Sequence, residues 1–456
     1  MTSARRSIII VGGGASGVLL AAHLLHDKAH DIRVTLIEKR RVVGQGIAYS
    51  SSQQNHVLNV PAPNMGAYAD DPEHFWRWAI ERKLISDKQR FVFLPRRHYG
   101  AYLADVLADA SVGGQLTLIG HTAVDLKQSS AGVEVVLANG ASVVGHAAVL
   151  AVGHEENPDR SKGIAVRVGS EADTPLDPDA AAMILGSGLS MVDAWLTLSQ
   201  AKHRGPITIV SRHGLLPLRH KAVDKIELAA ADVPFGTALQ YFEHWFRETV
   251  DEVVGRDGDW RSVVDAIRPF NQRIWQSWPE ASKRRFLEHV RPFWNIHRHR
   301  LPPDLHQQMV EAVESGQVTL VAGKLVDLKR GDGVVEATIR ARGAGATRTL
   351  EVARVYDCGG VTVDVNRSSN PLIQALLASG QARPDPLHIG LDVTTACQVI
   401  GTDGADSDRL FAVGPLTRGT FWEIEAIPDI RVQVAAVARS LAAPVEQSSV
   451  ANQAPF

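Results

Sequence analysis

Residues 7–20, SIIIVGGGASGVLL, constrain this chain more than any other stretch. Ile8 to Val11 read as a short strand buried on both faces, and Val18 to Leu25 as an apolar helix. Between them Gly12, Gly14 and Gly17 keep the G-x-G-x-x-G spacing, with Ala15 and Ser16 at the opening of the helix. Gly12 permits a sharp turn, Gly14 lets the backbone approach a pyrophosphate, and Gly17 lets helix and strand pack closely. The helix N-terminus offers unpaired N–H groups and a positive dipole end to phosphates. The motif alone is weak; an acidic residue closing the next strand makes it specific. Arg33 to Ile37 is that strand, and Glu38, followed by Lys39, is placed to accept hydrogen bonds from ribose hydroxyls. The stretch reads as a dinucleotide site in an α/β fold.

The pattern then restarts. Ala181 to Leu185 is a buried strand, Gly186 and Gly188 form a glycine turn, and Leu189 to Leu198, including Ser190, reads as a helix. A further strand, Ile207 to Val210, ends at Ser211 and Arg212. Glu38 lies 38 − 12 = 26 positions after Gly12, and Arg212 lies 212 − 186 = 26 positions after Gly186. A carboxylate at that position repels a 2′-phosphate, whereas a guanidinium pairs with one bidentately. The first unit therefore suits FAD or NAD, and the second suits NADPH. Met191 stands where the third glycine of the second unit belongs, so helix and strand are expected to pack less closely there.

At 456 residues the chain has material for two or three domains. A formal net charge of −2 gives no support for attraction to nucleic acid or a membrane surface. The two cysteines, Cys358 and Cys397, form no C-x-x-C pair, which leaves a disulfide framework, a zinc ribbon and a dithiol centre unsupported. This usage suits a reducing cytoplasm. The N-terminal Arg5 and Arg6 precede an apolar run, but its glycines and strand pattern argue against a cleaved signal. No apolar run reaches the length of a membrane span.

Residues 40–70 read as a long functional loop, followed by helices over about 73–83 and 97–107. Strand patterns occupy 115–126, 132–137 and 147–152, the last ending at Gly153. The region from about 222 to 315 holds five of the nine tryptophans and interrupts the second unit with helical patterns at 236–255, 260–278, 282–290 and 304–315. Strands resume at 318–322, 334–339, 352–358 and 410–413, before a closing helix at 430–441 and a polar tail. His297-Arg298-His299-Arg300 lacks a carboxylate or cysteine to complete a metal set, leaving a solvated basic loop or a pocket for an anion. Arg96 and Arg97 suit solvent or a phosphate contact. His56 and Asn59 suit a flavin-facing role or turn chemistry, and Trp422 suits stacking near a ring or core packing. Gly414 and Gly419 allow backbone to approach a flat ring.

With both units placed, the chain resembles the two-dinucleotide-binding-domain flavoproteins, and within them a bacterial FAD/NAD(P)-binding family of YdhS-like proteins. The likeness rests on GGGASG at 12–17, GQGIAYS at 44–50, HVLNVPAPNM at 56–65 and LPRRHYGAYL at 94–103. It continues through SRHGLLP at 211–217, RPFWNIHRHR at 291–300 and VGPLTRGTFWEIEAIPDIR at 413–431. AVGHEENP at 151–158 is similar to the A-T-G-x-x-x-x-P element of flavin N-hydroxylases and Baeyer–Villiger monooxygenases. The resemblance implies two Rossmann-like domains with a helical insertion in the second. FAD would be held by 1–155 and 353–456, and NAD(P)H by 156–352 with the insertion at about 222–315. It further implies adenine contacts near Val124 and pyrophosphate contacts at Gly14 to Gly17. Isoalloxazine contacts would come from the 44–60 loop, including Gly46 and Leu58, and from Gly414 to Trp422 through Thr420.

Without a dithiol, a chain with FAD and NADPH units is expected to pass hydride from NADPH to flavin and then to oxygen or directly to a substrate. The leading expectation is a monooxygenase acting on a small polar molecule, with N-hydroxylation favoured. The alternatives are an oxygen-indifferent flavin reductase or dehydrogenase and a non-catalytic flavin-binding module. The sequence names no catalytic acid or base, no metal site and no oligomeric state, and nucleic acid and membrane are not expected partners.

Overall fold

The computed structural model describes residues 6–26, 31–50, 56–159, 161–170 and 172–443. The strand Arg6–Val11 runs parallel between Ile32–Ile37 and Ala147–Leu150, and its last four residues are buried. Flanked by neighbours and covered on both faces, it must be apolar without alternation. The full six-stranded sheet runs Leu116–Ile119, Ile32–Ile37, Arg6–Val11, Ala147–Leu150, Asp406–Ala412, Gln398–Ile400. Only the last pair is antiparallel. Both ends of the described chain therefore build one sheet. The helices Ala15–His26, Arg96–Ser111 and Ile427–Ala442 pack on one face, burying Val18, Leu19, Tyr99, Leu103 and Val434. The other face packs on the three-stranded sheet Ala123–Ser129, Gly132–Leu137, Ser142–Gly145 and on the helix Pro371–Ala378.

A second six-stranded sheet runs Arg348–Val352, Val335–Ala341, Val318–Arg330, Ile207–Ser211, Ala182–Leu185, Arg354–Asp357. Its inner pairs are parallel and its outer hairpins antiparallel. The helix Leu189–Gln200 packs on it through Met191, Val192 and Trp195. Strands expected at 334–339 and 318–322 are present, the second extended to Arg330, and the expected 352–358 strand divides at Ala353.

Residues 212–317 leave this sheet between the neighbouring strands Ile207–Ser211 and Val318–Arg330. They carry the helices Leu239–Gly255, Trp260–Ala266, Asn271–Ser277, Glu280–Arg285, Arg291–Arg298 and Pro303–Glu314. The expected 260–278 helix is broken at Pro269, whose ring removes a backbone donor. The 282–290 pattern ends in a π-helical turn, Phe286–Val290. Trp275, Trp278, Phe242 and Phe286 form a separate core with Trp422 and Ile389 from outside the insertion.

Among the described residues no helix is long and apolar enough to cross a membrane, and no group of three or more His, Cys, Asp and Glu is placed to hold a metal ion. Part of the 40–70 loop (51–55) and the tail 444–456 lie outside the described residues.

Candidate functional site: a cleft at the strand ends

The C-terminal ends of the first sheet's strands open into a cleft of about 510 Å³. In an open parallel sheet this is where a crevice forms and ligands enter. Gly12 turns the chain there with φ 109°, and a Cβ on it would lie 2.4 Å from the Ala151 carbonyl oxygen. A Cβ on Gly17 would lie 1.9 Å from the Gly12 carbonyl oxygen, so helix and strand touch only because no side chain intervenes. Gly14 faces the cleft, with only the Cα of Gly46, 3.7 Å away, near its missing Cβ. The floor is therefore bare backbone at a helix N-terminus, a cradle suited to a pyrophosphate.

Glu38 lines the cleft at the end of the Ile32–Ile37 strand. Its carboxylate accepts hydrogen bonds from the Gly13 N–H at 2.7 Å and the Arg40 N–H at 2.8 Å. It thus stands beside the glycine turn, where sequence spacing places it. Lys39, Ala15, Ser16, Gly46 and Gly153 also line the cleft. Val124 does not; its neighbours Thr122 and Ala123 do, where the hairpin register shifts between Ala123 and Asp125. Gly414, with φ 71°, lets the last strand abut the first helix, because a Cβ would lie 2.4 Å from the Ser16 hydroxyl oxygen. The next residues, Pro415 and Leu416, line the cleft.

Other expected flavin contacts are placed elsewhere. Arg96 pairs with Asp193 at 2.9 Å, and the His56 ring lies 3.2 Å from the Thr197 hydroxyl. The Asn59 carbonyl oxygen lies 3.0 Å from His220 Nε2, and Leu58 lines a small crevice with Leu189 and Leu305. These four residues form a seam against the Leu189–Gln200 helix rather than the cleft wall. Burial pushes the Asp193 carboxyl up and Arg96 opposes it. Gly419 is a packing position: a Cβ would lie 2.4 Å from Asp385 Cγ, and its carbonyl accepts from the Trp275 indole N–H at 2.8 Å. Thr420 donates to the Val393 carbonyl at 2.9 Å, and Trp422 stacks on Trp275 with centroids 4.9 Å apart.

The second glycine turn repeats the first. Gly186 has φ 100°, and a Cβ on it would lie 2.5 Å from the Cys358 carbonyl oxygen, as Gly12 does against Ala151. Gly188 and Ser190 are exposed, with open space at the missing Cβ of Gly188. Met191 is fully buried in the position of Gly17. Arg212 is exposed at the end of its strand, and the adjacent His213 contacts Arg342 at 2.9 Å.

Several cleft residues carry no signal in the glycine spacing. His154, Arg418 and Glu425 line it, and Glu155 accepts hydrogen bonds from Ser368 and Ser369. The first three fall inside the quoted 151–158 and 413–431 stretches, but the pairing of Arg418 with Glu425 depends on the fold. Burial lowers the His154 pKa, so its imidazole is neutral near pH 7. The HRHR segment is neither a solvated loop nor open to an anion: Arg298 pairs with Glu423 at 3.1 Å, and Arg300 pairs with Asp265. Both arginines are buried, as is expected of charges held by a partner.

Comparisons with known proteins agree with this geometry. None of the curated proteins matches the chain. An ornithine hydroxylase of Pseudomonas aeruginosa superposes with a TM-score of 0.66 at 14% identity, covering 96% of this chain and 98% of the other. An ornithine N-hydroxylase of Kutzneria sp. 744 gives 0.64 at 12% identity, covering 96% and 98%. A bacillithiol disulfide reductase of Bacillus cereus gives 0.51 at 14% identity, with the same coverage. At these identities the likeness is one of fold. Residues 9–155 match the model of a family described as FAD-NAD(P)-binding, and the whole chain is an α/β protein with the fold of the two-dinucleotide-binding-domain flavoproteins.

Proposed function

We propose that the protein is an FAD-dependent, NADPH-using monooxygenase of a small polar substrate, with N-hydroxylation as the favoured reaction. The observation that carries this reading is the pair of matched glycine turns, one closed by Glu38 and the other by Arg212. The bare cradle at Gly12, Gly14 and Gly17 fits an FAD pyrophosphate, and Glu38 fits its ribose. When bound, FAD supplies hydride acceptance and, once reduced, reaction with oxygen or a substrate. Thr122 and Ala123 in the cleft wall would face the adenine end, and Pro415 and Leu416 the other. Arg212, with His213 and Arg342 beside it, would hold the 2′-phosphate of NADPH. His154 would stand in the cleft wall as a neutral imidazole whose ring nitrogen can accept a hydrogen bond.

The disulfide-reductase chemistry found on this fold is unsupported here. Cys358 and Cys397 are the only cysteines, and among the described residues neither lines the cleft. Burial pushes both thiols up to about 12, far from the thiolate that such chemistry needs.

The test is the visible spectrum of the purified protein, followed by NADPH addition under nitrogen and then in air. Flavin bleaching under nitrogen, with oxygen uptake that rises with an amine substrate, supports the reading. Bleaching without oxygen uptake in the presence of any amine, thioether or ketone would make it a reductase. Bound flavin that does not bleach would make it a non-catalytic module.

A further inference from the structure

The strand Ile207–Ser211 of the second sheet ends in a tight turn. Ser211 Oγ accepts the Gly214 N–H at 3.0 Å, and Gly214 takes φ 62° with its missing Cβ 3.1 Å from the Ala322 backbone nitrogen. Arg212 and His213 are the two residues inside that turn. Ala322 is the strand partner of Ser211, and its carbonyl accepts the Arg342 N–H at 2.7 Å, which anchors Arg342 beside the turn. The Arg342 guanidinium then donates to His213 Nδ1 at 2.9 Å. A guanidinium accepts nothing, so that nitrogen keeps its lone pair and the imidazole is neutral, with its proton on Nε2. Arg212 and Arg342 are exposed, and among the described residues neither is in an ion pair. Phe293, on the insertion helix Arg291–Arg298, packs on the His213 ring with centroids 5.4 Å apart and planes inclined by 58°. It is 45% exposed, and of the other Phe, Tyr and Trp side chains among the described residues only Phe91 and Tyr241 are open to a similar degree. A single exposed phenyl ring is ordinary; the neighbours mark this one. Its place is also fixed, because Trp294 and Arg298 of the same helix bond Glu423.

Two rings held open to water beside two unpaired guanidiniums match a flat base that carries an anionic group. We propose that Phe293 and His213 are the surface on which the adenine of NADPH stacks, next to the 2′-phosphate on Arg212 and Arg342. The helical insertion, and not the nucleotide unit alone, then completes the site. The platform rests on the NADPH reading of the second unit and adds the base to the phosphate. Stacking on an aromatic ring supplies affinity whatever the base edge offers, while paired guanidinium donors select the nucleotide with a 2′-phosphate. A neutral imidazole meets the base without adding a third charge, and rings already fixed lose little freedom on binding.

The experiment titrates the purified protein with adenosine 2′,5′-bisphosphate, which has the base and the 2′-phosphate but no nicotinamide, and reads the heat of binding without turnover. The expected result is saturable binding, weakened about fivefold to a hundredfold in Phe293→Ala and regained in Phe293→Tyr. Phe293→Leu keeps the apolar bulk without a π face and should stay weak. Arg212→Ala should weaken binding through the phosphate. Thermal unfolding checks each variant; should Phe293→Ala unfold early, the comparison of Phe293→Tyr with Phe293→Leu decides. If Arg212→Ala weakens binding while Phe293→Ala stays within about twofold of the unaltered protein, the platform is overturned and the NADPH site stands. Phe293→Leu that binds as well as Phe293→Tyr overturns it too, since bulk alone would then suffice. No saturable binding by the unaltered protein overturns the platform and the NADPH reading together.

Discussion

Replacing Glu423 by Gln tests how the helical insertion is held to the cleft. The Glu423 carboxylate is 3.1 Å from Arg298 Nε and 2.8 Å from Asn271 Nδ2, and it accepts the Trp294 indole N–H. The side chains of Arg298 and Glu423 are 9% and 6% exposed, so water cannot compensate either charge alone. Burial favours the neutral acid, but Arg298, His299 and Trp294 outweigh it and hold the carboxyl below its ordinary range. The ion pair therefore contributes stability above the pKa of an unfolded glutamate and loses it as pH falls through the lowered folded value. Near pH 7, Glu423→Gln leaves Arg298 charged, buried and unpaired, a change that costs about 3–5 kcal/mol. Arg298→Met strands the carboxylate at a similar cost of about 3–5 kcal/mol. The double variant removes both charges and should cost less than the sum of the singles, with a coupling of about 2 kcal/mol or more. The assay is urea unfolding followed by tryptophan fluorescence, since Trp294 bonds Glu423 and shares a core cluster with Trp275 and Trp422. Additive singles, or a Glu423→Gln cost below about 1 kcal/mol, would refute the argument that the pair is desolvated.

Three further outcomes follow from the geometry. Gly17→Ala places a methyl group 1.9 Å from the Gly12 carbonyl oxygen, so the helix must withdraw and the purified protein should lose most of its visible flavin absorbance. Arg212→Ala should raise the KM for NADPH about tenfold or more while leaving NADH use unchanged, read from steady-state NAD(P)H oxidation. Burial raises the Asp259 pKa, but the Arg261 N–H, Lys221 and the Arg261 side chain outweigh it and hold the carboxyl down at about 2. Its contribution is complete above the unfolded value and is lost as pH falls toward about 2, so Asp259→Asn should flatten the acid limb of the urea midpoint between about pH 4 and 2.

The glycine turns were legible because their requirement is local. A positive φ at Gly12 and Gly186, and bare backbone at Gly17, leave traces within a few residues of the strand and helix that use them. The helical insertion was legible in outline for the same reason, although Pro269 and the π turn divided it where periodicity alone ran on. The seam was not legible. Arg96 and Asp193 are 97 positions apart, and a guanidinium before a helix reads equally well as solvated or phosphate-binding until its partner is known. The HRHR segment failed in the same way, since Arg298 finds Glu423 at a distance of 125 positions. Residues whose role is set by a distant charge carry that role in the fold, not in their neighbours.

The difference between the two turns has a physical consequence for how each unit holds its nucleotide. In the first, the Val18 N–H bonds the Gly14 carbonyl at 3.0 Å, and the helix begins at full register against the strand. In the second, the corresponding Val192 N–H to Gly188 bond lengthens to 3.4 Å, and the Met191 N–H takes the same carbonyl at 3.1 Å. The first turn there is tightened toward a 3₁₀ form, as expected when a buried side chain replaces the packing glycine. Its N–H groups are consequently less uniformly aimed at a phosphate. A resident FAD gains from a rigid cradle, because every preset donor reduces the ordering cost of binding. A nicotinamide nucleotide that must enter and leave at each turnover gains nothing from residence. The proposed division of labour, with FAD at Gly12–Gly17 and NADPH at Gly186–Arg212, therefore matches the tighter turn to the cofactor that stays.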